Sequence, residues 1–398
     1  MNIDGCRRYN FGKESRRQNR TIMLLGATGS GKSTLINGLI NYIVGVEWED
    51  DFRFKLVDED QSRSQAESQT SEVTVYKINH QEGFKTPFSL TIIATPGFGD
   101  TRGIRRDIEI TEQIRNLFSA KRGVSEINAV CFVVPASSAR LTATQKYVFD
   151  SVLSIFGKDV AENIQVLVTF ADGQRPPVLE AIKASGVPCP KTKDGLPVHF
   201  KFNNSALFAQ NQSGGEEKKG GFDQMFWQMG AERMKRFFVA LDKITTISLT
   251  MTKEVLRERK QLEISIEYLQ TQVKVGLAKL EAIRETTEQL RLHEAEKSRN
   301  KELNKRTVQE VIDQLNDEYQ RLQDEVKEIM ERSVKCLNRL GEIALRPNPL
   351  STPNYIDLLI EREKAETKPG WKQRVEHLME VRGQAELMAK ISRGENLL

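Results

Sequence analysis

The chain has 398 residues, 38% of them hydrophobic and 29% charged, too many for one ordinary domain and too polar for a single core along the whole length. Its 59 basic and 55 acidic side chains leave a net charge of +4, and residues 1–20 hold that excess: Arg7, Arg8, Lys13, Arg16, Arg17 and Arg20 against Asp4 and Glu14. A basic tail on a neutral body excludes a dedicated nucleic-acid binder, which carries a basic face through its fold, and residues 1–20 read as a solvated, flexible basic arm.

Cys6, Cys131, Cys189 and Cys336 stand far apart, as do His80, His199, His293 and His377. No pair has metal-ligand spacing and no framework of bridges is implied, which argues against a zinc site. No apolar run approaches the roughly 20 residues that cross a bilayer, so no transmembrane segment is expected. The charged N-terminus lacks an apolar secretory core. The expectation is a reducing, cytoplasmic setting.

Residues 21–245 alternate short apolar runs with helical stretches, the pattern of an α/β domain with a mostly parallel sheet. Six strands are predicted: Thr21–Leu25, Val73–Asn79, Ser89–Ile93, Ala129–Val134, Ile164–Thr169 and Val198–Phe202. Most are apolar throughout, as strands buried on both faces are. Ser213–Gly221 reads as a loop. Phe222–Leu241 reads as a closing helix with Phe222, Phe226, Met229 and Met234 at helical spacing.

Residues 253–345 contain no proline and carry a sustained 4/3 apolar alternation. One stripe runs Leu262, Ile266, Leu269, Val273, Leu280, Ile283, Leu290, and a second runs from Val308 through Ile312, Leu315, Tyr319, Leu322, Val326, Ile329 and Leu340 to Ile343. Such spacing keeps one seam facing a partner helix, so a coiled-coil region is expected. Between the stripes the seam would hold Glu294, Lys297, Lys301 and Asn304, and the heptad phase changes, which predicts a break or reversal near 294–306. The pattern is compatible with an internal hairpin and with an intermolecular coil. Pro347, Pro349 and Pro353 end the region, and residues 354–392 read as two shorter amphipathic helices parted near Lys368-Pro369-Gly370.

The chemistry concentrates after the first strand. Gly26-Ala27-Thr28-Gly29-Ser30-Gly31-Lys32-Ser33 fits G-x-x-x-x-G-K-[ST] between a predicted strand and a predicted helix, with Thr34 following. Glycines let backbone N–H groups turn inward as a nest for phosphates. The helix start adds partial positive charge. Lys32 supplies a point charge between the β- and γ-phosphates, and Ser33 a hydroxyl for Mg²⁺. After the third strand, where D-x-x-G often stands, the chain reads Ala94-Thr95-Pro96-Gly97. Gly97 can bring its N–H to a γ-phosphate. Ala94 cannot hold the water shell of Mg²⁺, so metal binding is expected to weaken and hydrolysis to slow. Asp100, in a loop beyond, is a possible substitute for that carboxylate. Ala94 reads equally as natural drift and as a substitution that traps nucleotide. After the fifth strand, Thr169-Phe170-Ala171-Asp172 is similar to T/N-K-x-D, whose Asp accepts hydrogen bonds from guanine N1–H and N2–H₂. Adenine lacks that donor pair. Phe170 replaces the usual Lys and leaves packing on the base to a ring.

Ala139-Arg140-Leu141-Thr142-Ala143-Thr144-Gln145, Ser154-Ile155-Phe156-Gly157 and Val166-Leu167-Val168-Thr169 resemble the conserved box and following strand of the GTPases of immunity-associated proteins, the GIMAP family. Phe202-Asn203-Asn204 resembles their last guanine-contact motif, and Thr95-Pro96-Gly97-Phe98-Gly99-Asp100 is closer to the related septins. The resemblance covers about residues 20–245. It implies a P-loop GTPase fold with a six-stranded, mostly parallel sheet, binding of GTP or GDP with Mg²⁺, and homodimers through the nucleotide face. It maps the switch I threonine to Thr70, with Ser71 and Thr74 as competitors. It makes Arg140 the match for an arginine that acts across the dimer, a surface arginine being the alternative.

The leading functional expectation is a guanine-nucleotide-dependent assembly or scaffold switch with weak hydrolysis, whose helical half self-associates. A septin-like structural protein that keeps GTP as an interface cofactor is the alternative. A P-loop ATPase or kinase is disfavoured by Asp172 and Asn203–Asn204, and by the lack of a clear lid segment.

Overall fold

The computed structural model describes residues 6–57, 70–100, 102–139, 142–209, 221–295 and 301–397. In chain order the elements are β1 (Arg7–Phe11), β2 (Asn19–Leu25), α1 (Lys32–Val44), β3 (Thr74–Ile78), β4 (Ser89–Ala94), α2 (Ile104–Ser119), β5 (Glu126–Ile127), β6 (Ala129–Pro135), α3 (Ala143–Ser154), β7 (Ile164–Thr169), α4 (Val178–Ser185), β8 (His199–Lys201), α5 (Phe222–Lys243), β9 (Ile247–Ser248), α6 (Thr250–Ala295), α7 (Lys301–Ile343), α8 (Pro353–Glu366) and α9 (Trp371–Ser392). They fall into two units. One holds the chain up to Leu256 with Ile343–Pro349 and Leu358–Leu378; the other holds Arg257–Glu342, Leu350–Asp357 and Met379–Leu398.

The first unit is built on a seven-stranded sheet in the order β1-β3-β4-β2-β6-β7-β8. β4, β2, β6, β7 and β8 run parallel, β3 runs antiparallel to β4, and β1 runs parallel to β3. The parallel strands are apolar because helices cover both faces: Ile22, Met23, Leu24 and Leu25 of β2 are all buried. β2 sits between β4 and β6, where the strand order reverses. Its carboxyl end therefore opens on the crevice in which open α/β sheets hold ligands.

The sheet corrects the expected six strands to seven, and the additional strand lies inside the expected flexible arm. Arg7–Phe11 pairs along β3 in register from Arg7–Thr74 to Phe11–Ile78. Tyr9 stacks on Tyr76 at 5.6 Å, and Arg7 pairs with Glu72 at 2.9 Å. An edge strand is paired on one side only and tolerates charged residues, so its basic composition disguises it. A two-stranded ribbon of β5 and β9 stands apart from the main sheet.

α5 closes the first unit on the face that holds Met234, with Phe226 and Met229 half-buried. Met234, Phe237, Phe238 and Leu241 are buried, whereas Phe222 is 80% exposed. Phe237 packs edge-on against Phe200 and Phe202, at 5.3 and 5.9 Å. The predicted loop Ser213–Gly221 lies outside the described residues except for Gly221, which precedes α5.

The second unit is helical. α6 and α7 run antiparallel: Tyr268 donates to Glu325 at 2.5 Å, and one helical span further on Lys279 pairs with Glu318. The reversal at the middle of the predicted seam is thus internal to the chain. Its core combines Leu262, Ile266, Leu269, Val326 and Cys336 with Leu387 and Ile391 of α9. Burial weakens along the first stripe, and Leu280 is 39% exposed. No helix among the described residues is long and apolar enough to cross a membrane.

Candidate functional site

The loop between β2 and α1 is shaped by steric limits. A Cβ at Gly26 would lie 2.3 Å from the Val133 carbonyl oxygen, so only glycine fits beside β6. Gly31 has φ 82 and serves as the N-cap of α1, which has no side-chain cap. The first-turn amides of a helix lack intrahelical acceptors, and here they stand at the mouth of the crevice. Lys32 turns back into the loop. Its Nζ donates to the carbonyls of Gly26 at 3.1 Å and Ala27 at 2.8 Å, with Ser30 Oγ at 3.5 Å. Burial pushes the Lys32 ammonium down to about 7. Thr28 Oγ1 is buried and finds no hydrogen-bond partner among the described residues. A buried cation held only by neutral groups, an orphaned hydroxyl and an uncapped helix start together fit a polyphosphate.

The expected phosphate sensor packs directly on this loop. Thr28 N donates to Phe98 O and Phe98 N donates to Gly26 O, both at 3.1 Å. A Cβ at Gly97 would lie 2.4 Å from Thr28 Oγ1 and 2.5 Å from Thr28 Cα, so residue 97 must be glycine for the two loops to meet. Thr70 comes to the same place: its Oγ1 is 3.5 Å from Ser33 Oγ. Those two hydroxyls are the candidates to hold Mg²⁺. Ala94 ends β4 buried, beside Leu24 of β2 and Thr74 of β3. Asp100, the expected substitute for that carboxylate, has both oxygens held by Arg102 at 2.8 and 2.9 Å.

Two residues in this region carry no sequence signal. Arg106 of α2 donates to the Ser71 carbonyl and joins that helix to the segment at Thr70. Asp107 accepts the Gly99 N–H at 3.1 and 3.2 Å, tying the sensor loop to α2. Burial raises the Asp107 carboxyl to about 7 against the lowering effect of hydrogen bonds from Tyr147 and Gly99. The raised value means that Asp107 stabilises the fold fully below the unfolded value near 3.8, and that this contribution is lost as pH rises through about 7. Asp107→Asn keeps an acceptor for Gly99 and removes the charge. Its melting temperature is expected to match wild type near pH 4 and exceed it at pH 8; melting curves that run parallel across that range would contradict the assignment.

The base-side segment also reaches the phosphate loop. Thr169 Oγ1 donates to the Ser30 carbonyl at 2.7 Å. Phe170 packs on Gly31, where a Cβ would be 3.3 Å from the ring. The ring therefore lies beside the cradle, and it remains 64% exposed. Asp172 follows two residues later, and its Oδ1 accepts the Gln174 N–H at 2.7 Å. Asn203 Oδ1 accepts from Ser205 N at 3.0 Å. Asn204 Oδ1 is near α1, 2.9 Å from where a Cβ of Gly38 would stand. Both asparagines line a small crevice of about 40 Å³ between α1 and α5, with Tyr42 and Trp227. Arg140 lies outside the described residues.

Gly26–Thr34, Thr70, Gly97, Thr169 and Phe170 thus converge at the carboxyl end of β2. Residues 20–181 match the AIG1 family. That stretch contains the phosphate loop, the sensor and Asp172, in a GTPase-like α/β fold with a mostly parallel sheet. No curated protein matches the chain. Among solved structures, Toc33 from Arabidopsis thaliana in complex with Mg²⁺ and GMPPNP is 18% identical, over 58% of this chain and 88% of that one, with a TM-score of 0.38. A structure of chloroplast translocon components atToc33 and psToc159, for whose GTPase activity dimerisation is important, is 18% identical over 58% of this chain and 86% of that one, with a TM-score of 0.40. The GTPase-like domain of Ski7 from S. cerevisiae, bound to GTP, is 14% identical over 55% and 50%, with a TM-score of 0.31.

Proposed function

We propose that the chain is a GIMAP-type guanine-nucleotide-binding protein that takes GTP or GDP with Mg²⁺ and hydrolyses GTP slowly. The observation that carries this reading is the contact of two loops. The turn that buries Lys32 meets Thr169 and Phe170, which supports reading the two as a phosphate cradle and the start of a base reader. Gly26–Thr34 would hold the phosphates, Ser33 and Thr70 the metal, Gly97 the γ-phosphate, and Phe170 with Asp172 the base. Mg²⁺ would neutralise charge on the phosphate oxygens. Slow turnover follows from Ala94, which puts a methyl where a carboxylate would orient the metal's water.

The same reading makes the protein an assembly switch that works as a cytoplasmic homodimer, with the α6–α7 hairpin as its coiled coil and self-association through faces that the hairpin leaves exposed, such as that of Leu280. One contact favours it. Gly103, with φ 86, precedes α2, and a Cβ there would lie 3.1 Å from Cγ and Cδ of Arg374 at the start of α9. Arg374 is itself held by Glu363 and the Pro369 carbonyl, at 2.8 Å each. A change in the sensor loop on loss of the γ-phosphate would thus reach the C-terminal helices. Ala94 also favours the septin-like alternative, in which GTP is kept as an interface cofactor. The deciding experiment is calorimetric titration with GTP, GDP and ATP, with and without Mg²⁺. GTP is expected to bind at least about tenfold tighter than ATP; equal affinities would remove the guanine reading.

A further inference from the structure

The loop that carries Asp172 leaves β7 through an unusual residue. Phe170 has φ 52, in the left-handed region that an aromatic side chain rarely adopts. Such a conformation persists only where the surroundings over-determine it. They do so through the carbonyls and amides that follow. Ala171 N donates to Phe202 O at 3.0 Å. Arg233 of α5 then spans two carbonyls, Nη1 to Ala171 O and Nη2 to Asp172 O, each at 3.0 Å. Lys201 Nζ reaches the carbonyls of Gly173 and Gln174 at 3.2 and 3.3 Å. One turn before Arg233, a Cβ at Gly230 would stand 3.4 Å from the Asn203 carbonyl oxygen. One face of α5 therefore touches both segments assigned to the base.

A planar guanidinium bridging successive carbonyls sets the direction of both peptide planes, which a single ammonium cannot do. The peptide of Asp172 determines where its carboxylate points, and the Gln174 N–H then holds Oδ1. With Phe170 in place of the lysine expected there, the loop has no cation of its own at that step, and α5 supplies it.

We infer that Arg233 is a positioning residue for base selection: it orients the Asp172 carboxylate, and guanine preference depends on it. This rests on the reading of Asp172 as the guanine acceptor. The test compares full-length wild type, Arg233→Ala and Arg233→Lys by titration with GTP, ATP and inorganic tripolyphosphate. Amide exchange at Gln174 in the nucleotide-free protein is followed in parallel. Arg233→Ala is expected to lower the GTP-to-ATP affinity ratio by about tenfold or more, to leave tripolyphosphate affinity unchanged, and to speed exchange at Gln174. Arg233→Lys, which keeps charge but not the bridge, is expected to lose part of the ratio. A fall in all three affinities together, or an unchanged ratio in either variant, would overturn the inference. Equal GTP and ATP affinities in wild type would instead overturn the guanine reading, and this inference with it.

Discussion

Asp172→Asn is expected to exchange guanine for xanthine. Guanine offers N1–H and N2–H₂ as adjacent donors, which two carboxylate oxygens accept. In the protein the Gln174 N–H already orients Oδ1 at 2.7 Å. An asparagine that keeps that bond places its NH₂ where Oδ2 stood, donor against donor with guanine N2–H₂. Xanthine carries a carbonyl oxygen at that position and accepts the new donor. A site built to hydrogen-bond a partner rejects the mismatched one by about 10²–10⁴-fold, so GTP affinity should fall by that order while XTP affinity rises. Competition binding with GTP and XTP measures both at once. A variant that loses GTP without gaining XTP would show that Asp172 serves the loop rather than the base.

The phosphate loop was legible because its chemistry is contiguous. Three glycines, a lysine and a serine stand within eight residues, and each is needed locally for backbone shape or charge. The buried strands were legible because an unbroken apolar run such as Ile164–Thr169 has few alternatives between two turns. β1 was not. Arg7-Arg8-Tyr9-Asn10-Phe11 becomes a strand through its pairing with β3, far along the chain, and four of its five residues are exposed. Arg233 and Asp107 were hidden for a related reason. Each acts through a backbone group of a loop remote in sequence or shape, which leaves no spacing to read. The helical stripes announced pairing and a reversal, but only contacts such as Tyr268 with Glu325 distinguish a chain folded on itself from one that meets a partner. At α5 the spacing read the face of Met234 but not its extent: Phe222 at the helix start is exposed, while Phe237 and Phe238 near the end reach the core.

On the proposed reading, nucleotide retention depends on Lys32. Burial without an anion leaves its ammonium near 7, far below 10.5. The penalty on the nucleotide-free fold is therefore full below pH 7 and fades as pH rises toward the unfolded value. A bound triphosphate requires the charged form, so affinity should be greatest below pH 7 and decline as pH rises above it. Lys32→Ala removes both effects: the nucleotide-free protein should melt higher than wild type at pH 6, with no decline of affinity through neutral pH. The most direct measurement is calorimetric titration of GTP into wild type and Lys32→Ala at pH 6.5. The account predicts that the variant loses at least about a hundredfold in affinity; GTP bound equally well by both proteins would contradict it.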